Sequence, residues 1–219
     1  MALFSRITCT TGLVLLIAAV AAAASPGKVE KIGHFADASP EQMKTALAAS
    51  GYRLTLYDGS VMELWLSNSL PAAKEKDPNA VYPQISRATF IGVIKFQRQA
   101  KDFRGQAIRP GAYTMRYEIL PSDGNHMGVA AQPDFVLLTP LAADPGPDAL
   151  PSYAELVKLS AKAAGTAHPA SFSMVPTEGA TEYPSLFYTS DGYVAFAAQV
   201  RTASGELPIA IVVKGVAQQ

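Results

Sequence analysis

His126, with Asp123 and Asn125 beside it in the run Ser122-Asp123-Gly124-Asn125-His126, is the densest group of metal-competent side chains in this 219-residue chain. Oxygen and imidazole ligands at such spacing can hold a divalent ion, and His168 with Asp134 would complete a two-histidine, one-carboxylate set. Ordinary turn chemistry accounts for the same residues: Asp123 caps backbone amides and His126 ties the loop down by hydrogen bonds. That structural reading is the stronger one, because nothing in the chain separation brings His168 to His126. His168 follows a helix stop and precedes Pro169, which holds it extended. His34 reads as a half-exposed residue of a first strand.

Other reaction chemistry finds no foothold. No Gly-x-Ser-x-Gly elbow occurs, and neither Gly-x-Gly-x-x-Gly nor a Gly-Lys-Ser/Thr element is present to cradle a phosphate. Glu63, Glu118, Asp134, Glu178 and Glu182 have equal claims as surface carboxylates, so no acid/base pair stands out. Aromatic residues give a binding reading instead. Trp65, Tyr57, Tyr82, Tyr183, Tyr188 and Tyr193 lie in or near expected strands, and any that faced outward would offer a flat platform for a sugar or a peptide. Trp65 shares parity with Glu63 and so points away from the Leu64 face. Cover by a second packed layer explains an outward tryptophan better than a platform does.

The first 24 residues carry one charge, Arg6, then an apolar run from Gly12 to Val20 and the small residues Ala21 to Ala24. That is the layout of a cleaved secretory signal, and the run is shorter than the roughly 20 residues that span a bilayer. Cleavage removes Cys9, the single cysteine, so thiolate metal sites, cysteine nucleophiles and disulfides are excluded from the expected 25–219 domain. About 70% of the unfolded surface of a chain this long can be buried in one core. Basic and acidic residues balance at 18 each over the whole chain. With no basic stripe, nucleic acid is not expected as a partner. An envelope protein or a small ligand is, and residence is expected to be periplasmic or secreted, with no cofactor beyond the divalent metal raised above.

The positioning elements are strands. Asp58-Gly59, Asp191-Gly192 and Ser204-Gly205 punctuate alternating runs as hairpin turns do, and Asp123-Gly124 is a fourth such signal. Around the first, Leu54, Leu56, Met62, Leu64 and Leu66 share a face from which Arg53, Thr55 and Glu63 point away. Thr89 to Phe96 and Asp134 to Thr139 read as buried strands, Phe172 to Val175 and Ser185 to Tyr188 as weaker ones. Ile209 to Val213 reads as a strand covered on both faces. Two helices are expected: Ser39 to Ser50, stopped by Gly51, and one capped by Ser152 with Glu155, running to about Ala164 and ended by Gly165. Ile108-Arg109-Pro110-Gly111-Ala112-Tyr113 predicts a tight turn whose tyrosine hydroxyl returns to the backbone upstream, resembling the tyrosine corner of immunoglobulin-like sandwiches.

At longer range, Ile-x-Pro-Gly-x-Tyr-Thr from Ile108, Asp-Gly-Asn-His-Met-Gly-Val from Asp123 and Asp-Phe-x-Leu-Leu from Asp134 resemble segments of uncharacterised secreted bacterial β-domains. The similarity runs from about Tyr82 to His168, taking in Ala163 to Pro169. It implies an exported β-domain and hands over no catalytic residues. The expectation is therefore a mainly β protein: an antiparallel sandwich, immunoglobulin-like or jelly-roll-like, with about eight strands and two peripheral helices. Its expected role is that of a non-enzymatic binding or assembly module in the cell envelope, presenting Asp123, Asn125, His126 and His168. The rivals are a metal-dependent hydrolase using His126, His168 and Asp134, and a carbohydrate-binding domain using Trp65.

Overall fold

The computed structural model describes residues 25–73, 76–103, 105–120 and 132–215. The expected signal segment and the loop bearing Asp123, Asn125 and His126 lie outside the described residues. Among the described residues twelve strands are formed: β1 Gly27–Ile32, β2 Gly51–Leu56, β3 Val61–Leu66, β4 Phe90–Phe96, β5 Ala100–Lys101, β6 Ala107–Ile108, β7 Gly111–Ile119, β8 Asp134–Pro140, β9 Ser171–Val175, β10 Ser185–Tyr188, β11 Val194–Thr202 and β12 Gly205–Lys214. All but β5 and β6, which pair with each other, join one sheet in the order β1-β2-β3-β4-β7-β8-β9-β12-β11-β10. Every pairing in it is antiparallel.

The antiparallel, mainly β character with two helices matches expectation, while a division into two separate sheets does not. Hydrogen bonding runs through all ten strands, because β9 pairs with β8 through Ser171 to Ser173 and then with β12 through Met174 and Val175. Accumulated twist curls a sheet this wide, and bulges in β4 and β11 sharpen the bend. The β4 bulge depends on Gly92: at φ +153°, a Cβ there would stand 2.2 Å from the Trp65 carbonyl oxygen. The sheet ends nearly meet, with the ring of Tyr57, just past β2, 6.5 Å from that of Tyr188 in β10.

Alternation then fills the interior. Leu54, Ile94, Met115, Val136, Phe196 and Ile211, from six different strands, are each 0–1% exposed in one core. Most of the opposite face is covered too. Phe35 and Met43 lie over Trp65 and Val93, Leu156 lies on Phe135 and Leu137, and Phe103 and Phe187 join Ala195, Ala210 and Val212. The last strand is buried on both sides, as its unbroken apolar run requires.

Helix α2, Tyr153–Ala164, starts in the expected capping box, with Ser152 and Glu155 bonded reciprocally, and stops at Gly165 in the left-handed conformation. The first helix is shorter than predicted. It spans Glu41–Thr45 with Pro40 at its N-cap, because the Ala48 N–H goes to the Leu66 carbonyl at 2.9 Å and Leu47 bridges Ser67, drawing the chain into the sheet. Gly51 is no helix stop: it begins β2, where a Cβ would come within 2.5 Å of the Trp65 indole nitrogen. The tyrosine corner forms as expected, the Tyr113 hydroxyl donating to the Arg109 carbonyl at 2.8 Å. No helix among the described residues is long and apolar enough to cross a membrane.

Candidate functional site

Asp134 is fully buried and already committed. One carboxylate oxygen accepts the Tyr82 N–H at 2.9 Å and the Tyr117 hydroxyl at 2.5 Å, and the other accepts the Val81 N–H at 2.8 Å. A metal-ligand role would require Asp134 to surrender these bonds. Among the described residues no three His, Cys, Asp or Glu side chains converge as a metal site.

His168 is exposed, in a turn held by its own N–H on the Thr166 hydroxyl at 3.2 Å. That turn lies against the β5–β6 hairpin through Gln106, whose amide nitrogen donates to the Pro169 carbonyl at 3.1 Å. The flanks of the His126 loop, joined by Leu120 N–H to Pro133 carbonyl at 2.9 Å, sit at the Asp134 end of β8. The His168 turn joins β9 beside Leu138, whose N–H bonds the Ala170 carbonyl. Four residues of strand, about 13 Å, separate these two exits. His34 is exposed beyond the end of β1.

Trp65 does face away from Leu64, and it is covered. It is 5% exposed, its indole N–H donates to the Gly33 carbonyl at 2.9 Å, and Phe35 meets it edge-on at 5.0 Å between centroids. It offers no platform. The tyrosines Tyr57 and Tyr188, at 59% and 39% exposed, are the solvent-facing members of the aromatic set named from sequence.

The two ends of the curled sheet are built differently. At the Asp134 end, the segment after β3 sends Leu70, Tyr82 and Ile85 into the interior. The Tyr82 hydroxyl donates to the Val175 carbonyl at 2.5 Å and accepts the Ala210 N–H at 2.9 Å, pinning this plug to β9 and β12. Burial pushes both Tyr82 and Tyr117 well above the usual phenol range, and the Asp134 carboxylate adds to the effect on Tyr117. Both therefore stay neutral donors.

At the other end the β2–β3 hairpin, the end of β4 with β5, the β10–β11 turn and the end of β12 surround an open cleft of about 910 Å³. Its floor is the last layer of the core, Leu56, Met62, Phe96, Val194 and Val213. Arg53, Arg98, Lys101 and Lys214 line it against one acid, Asp58, with Ser60, Gln97 and Gln99 supplying neutral hydrogen-bonding groups and Tyr57 an open ring. Arg53 is engaged by Glu63 at 2.7 Å, and Lys214 by Asp58 at 2.5 Å. The Lys214 ammonium, with the Ser60 N–H assisting, holds the Asp58 carboxyl down to about 2. Arg98 and Lys101 are exposed, and their side chains form no ion pair or hydrogen bond among the described residues.

No histidine, cysteine or glutamate is among the described residues lining the cleft. The arrangement can attract, orient and hold an anion. A second, smaller groove of about 560 Å³ lies between the first helix and Pro147, Asp148 and Leu150, and the Thr89 hydroxyl in its wall has no partner among the described residues. Reasoning from sequence missed the cleft because its cations come from three separated segments; the one usable signal was Tyr57, beside the Asp58-Gly59 turn.

Compared with protein-family models, with curated proteins and with solved structures, the chain matches none.

Proposed function

We propose that this chain is an exported, non-enzymatic binding module of the cell envelope, periplasmic or secreted, and that the open end of its curled sheet is the binding surface. The observation that carries the reading is the contrast between the ends: one is plugged by Tyr82 and Leu70, while the other leaves a cleft rimmed by amides and cations, two of which, Arg98 and Lys101, have no side-chain partner among the described residues. Mouths of β-barrels are frequent ligand sites, since strands fix their walls and loops adapt their rims. The signal-like layout before Ser25 and the likeness to secreted bacterial β-domains support export. The hydrolase reading is weaker, because Asp134 belongs to the plug.

Amide hydrogen exchange on the mature chain tests this, measured with and without an envelope extract of the source cells. Protection of 56–62, 96–101 and 213–215 is expected. Protection centred on the Gly165 to Pro169 turn, or none anywhere, would overturn the assignment of the surface.

A further inference from the structure

We infer that the ligand of this cleft is an acidic saccharide, a sugar ring bearing carboxylate or phosphate groups, and this rests on the binding-module reading above. Charge makes the first half of the argument. The chain as a whole balances 18 basic against 18 acidic residues, yet four of the five charged residues lining the cleft are basic. Two of these four are matched internally, Arg53 by Glu63 and Lys214 by Asp58. Among the described residues Arg98 and Lys101 are not, and they stand three residues apart on the segment that leaves β4. A concave surface with uncompensated charge of one sign concentrates ligands of the other, and a guanidinium pairs with planar carboxylates in two-pronged fashion.

The other half is the shape of the remaining lining. The floor side chains Leu56, Met62, Phe96, Val194 and Val213 are 1–4% exposed, so the apolar surface a ligand can bury is offered at the rim, by Tyr57 and Val61. What is exposed is the ring of Tyr57, tilted 41° to Tyr188, together with Gln97 and Gln99, and beside them lies the half-buried Ser60. A ring with C–H groups on one face and hydroxyls at its rim uses both kinds of group, stacking on the phenol while the amides and hydroxyl take its oxygens. An acidic peptide would use the cations but leave the tyrosine unexplained. A single-stranded nucleic acid would use the cations and an aromatic, but it needs a basic groove that continues along the strand. The four cations here surround a single cleft.

Isothermal titration of the mature chain supplies the test, with tetragalacturonate as the acidic probe, the matching neutral galactose tetramer, a polyacrylate of similar charge, a ten-residue oligothymidylate and galacturonate monomer. Tetragalacturonate is expected to bind at least tenfold more tightly than the neutral tetramer. Arg98→Ala and Lys101→Ala should each weaken it about threefold, the range for an exposed ion pair. Tyr57→Ala should weaken it about fivefold through lost stacking. These three residues are exposed, so the variants keep the fold, and unchanged thermal melting checks this.

Monomer binding within tenfold of the tetramer would assign the site to a free sugar acid, and a larger gap to a chain, both within the inference. Polyacrylate binding as tightly as tetragalacturonate, with Tyr57→Ala without effect, would overturn the saccharide. Tighter binding of oligothymidylate would overturn it in favour of nucleic acid. If no probe binds while an envelope extract still protects 56–62 and 96–101, this inference falls and the binding surface stands. If the extract protects nothing there, the surface itself falls.

Discussion

Breaking the Arg116–Asp144 pair should cost more than any other single polar change in this fold, and the two ways of breaking it should differ in their response to pH. Both side chains are fully buried. The Asp144 carboxylate accepts four hydrogen bonds: from Arg116 at 2.6 and 3.0 Å, from the Thr114 hydroxyl at 2.6 Å and from the Gly146 N–H at 2.9 Å. Arg116 also donates to the carbonyls of Ala88, Ala149 and Gly146, at 3.0, 2.7 and 2.5 Å, and lies 5.5 Å over the Phe90 ring. The pair therefore staples the loop after β8 to the outer face of β7.

Asp144→Ala leaves a guanidinium that cannot lose its proton, buried among carbonyls, and removal of one partner from such a pair costs about 3–5 kcal/mol. Arg116→Met leaves a carboxylate that still has a hydroxyl and an N–H, and that can shed its charge by taking up a proton. Its loss should be of similar size at pH 7 and shrink as the pH falls toward 5, because protonation then favours the folded variant. The Asp144→Ala deficit should stay constant over that range. Urea unfolding of both variants and of the wild type, at several pH values with unchanged m-values, reads this directly. A cost below about 1 kcal/mol for Asp144→Ala, or parallel pH profiles for the two variants, would refute the reasoning.

Two further tests concern acids held in opposite directions. Burial raises the Glu118 carboxyl above its usual value, against the opposing pull of Arg87 at 3.0 Å. The folded state thus holds this proton more tightly than the unfolded one. The resulting stabilisation is present below the unfolded value and lost as pH rises through the folded one. Glu118→Gln should flatten the wild-type decline in stability between pH 4 and 7, and an unchanged slope would contradict this. Asp58, at about 2, is the reverse case, contributing stability above its ordinary value that is lost as pH falls through about 2. In Lys214→Ala its carboxyl titration, followed by NMR, should move up toward 3.8, with a loss of only about 0.5 kcal/mol at pH 7 because both groups are partly solvated. A titration midpoint still near 2 would show that Lys214 is not the cause.

Local patterns were readable wherever one residue type has one cheap conformation. The Asp58-Gly59, Asp191-Gly192 and Ser204-Gly205 turns join the paired strands they were expected to join, and Ser152 with Glu155 and Tyr113 with Arg109 make the bonds their spacing implies. Strand order was not readable, since period-two alternation says which face is apolar and nothing about which strand lies next. The same limit hid the outer face of β7. Thr114, Arg116 and Glu118 alternate against Tyr113, Met115 and Tyr117 as a solvated face would, yet they are 0–1% exposed because a loop and Arg87 bring partners to them. The helix expected over Ser39 to Ser50 stops early for a related reason: Leu47 and Ala48 find backbone partners in Ser67 and Leu66 that no local propensity records.

The asymmetry of the two ends follows from how each hydrogen-bonds its last layer. The plugged end satisfies its buried polar groups with long-range partners, Tyr82 to Val175 and Ala210, and Asp134 to Val81, Tyr82 and Tyr117, so opening it would strand several buried groups at about 1–3 kcal/mol each. The cleft end is closed over its floor only by side chains that solvent already reaches, with Lys214 40% and Asp58 31% exposed. Rearranging the Lys214–Asp58 contact strands nothing, since water replaces each lost partner, while Arg53 stays on the buried Glu63. A ligand can therefore displace rim contacts at little cost, whereas the plug cannot yield without loss of the core. For this reason recognition is assigned to the cationic rim, and the buried Asp134 cluster, despite its carboxylate and two phenols, is assigned to the fold.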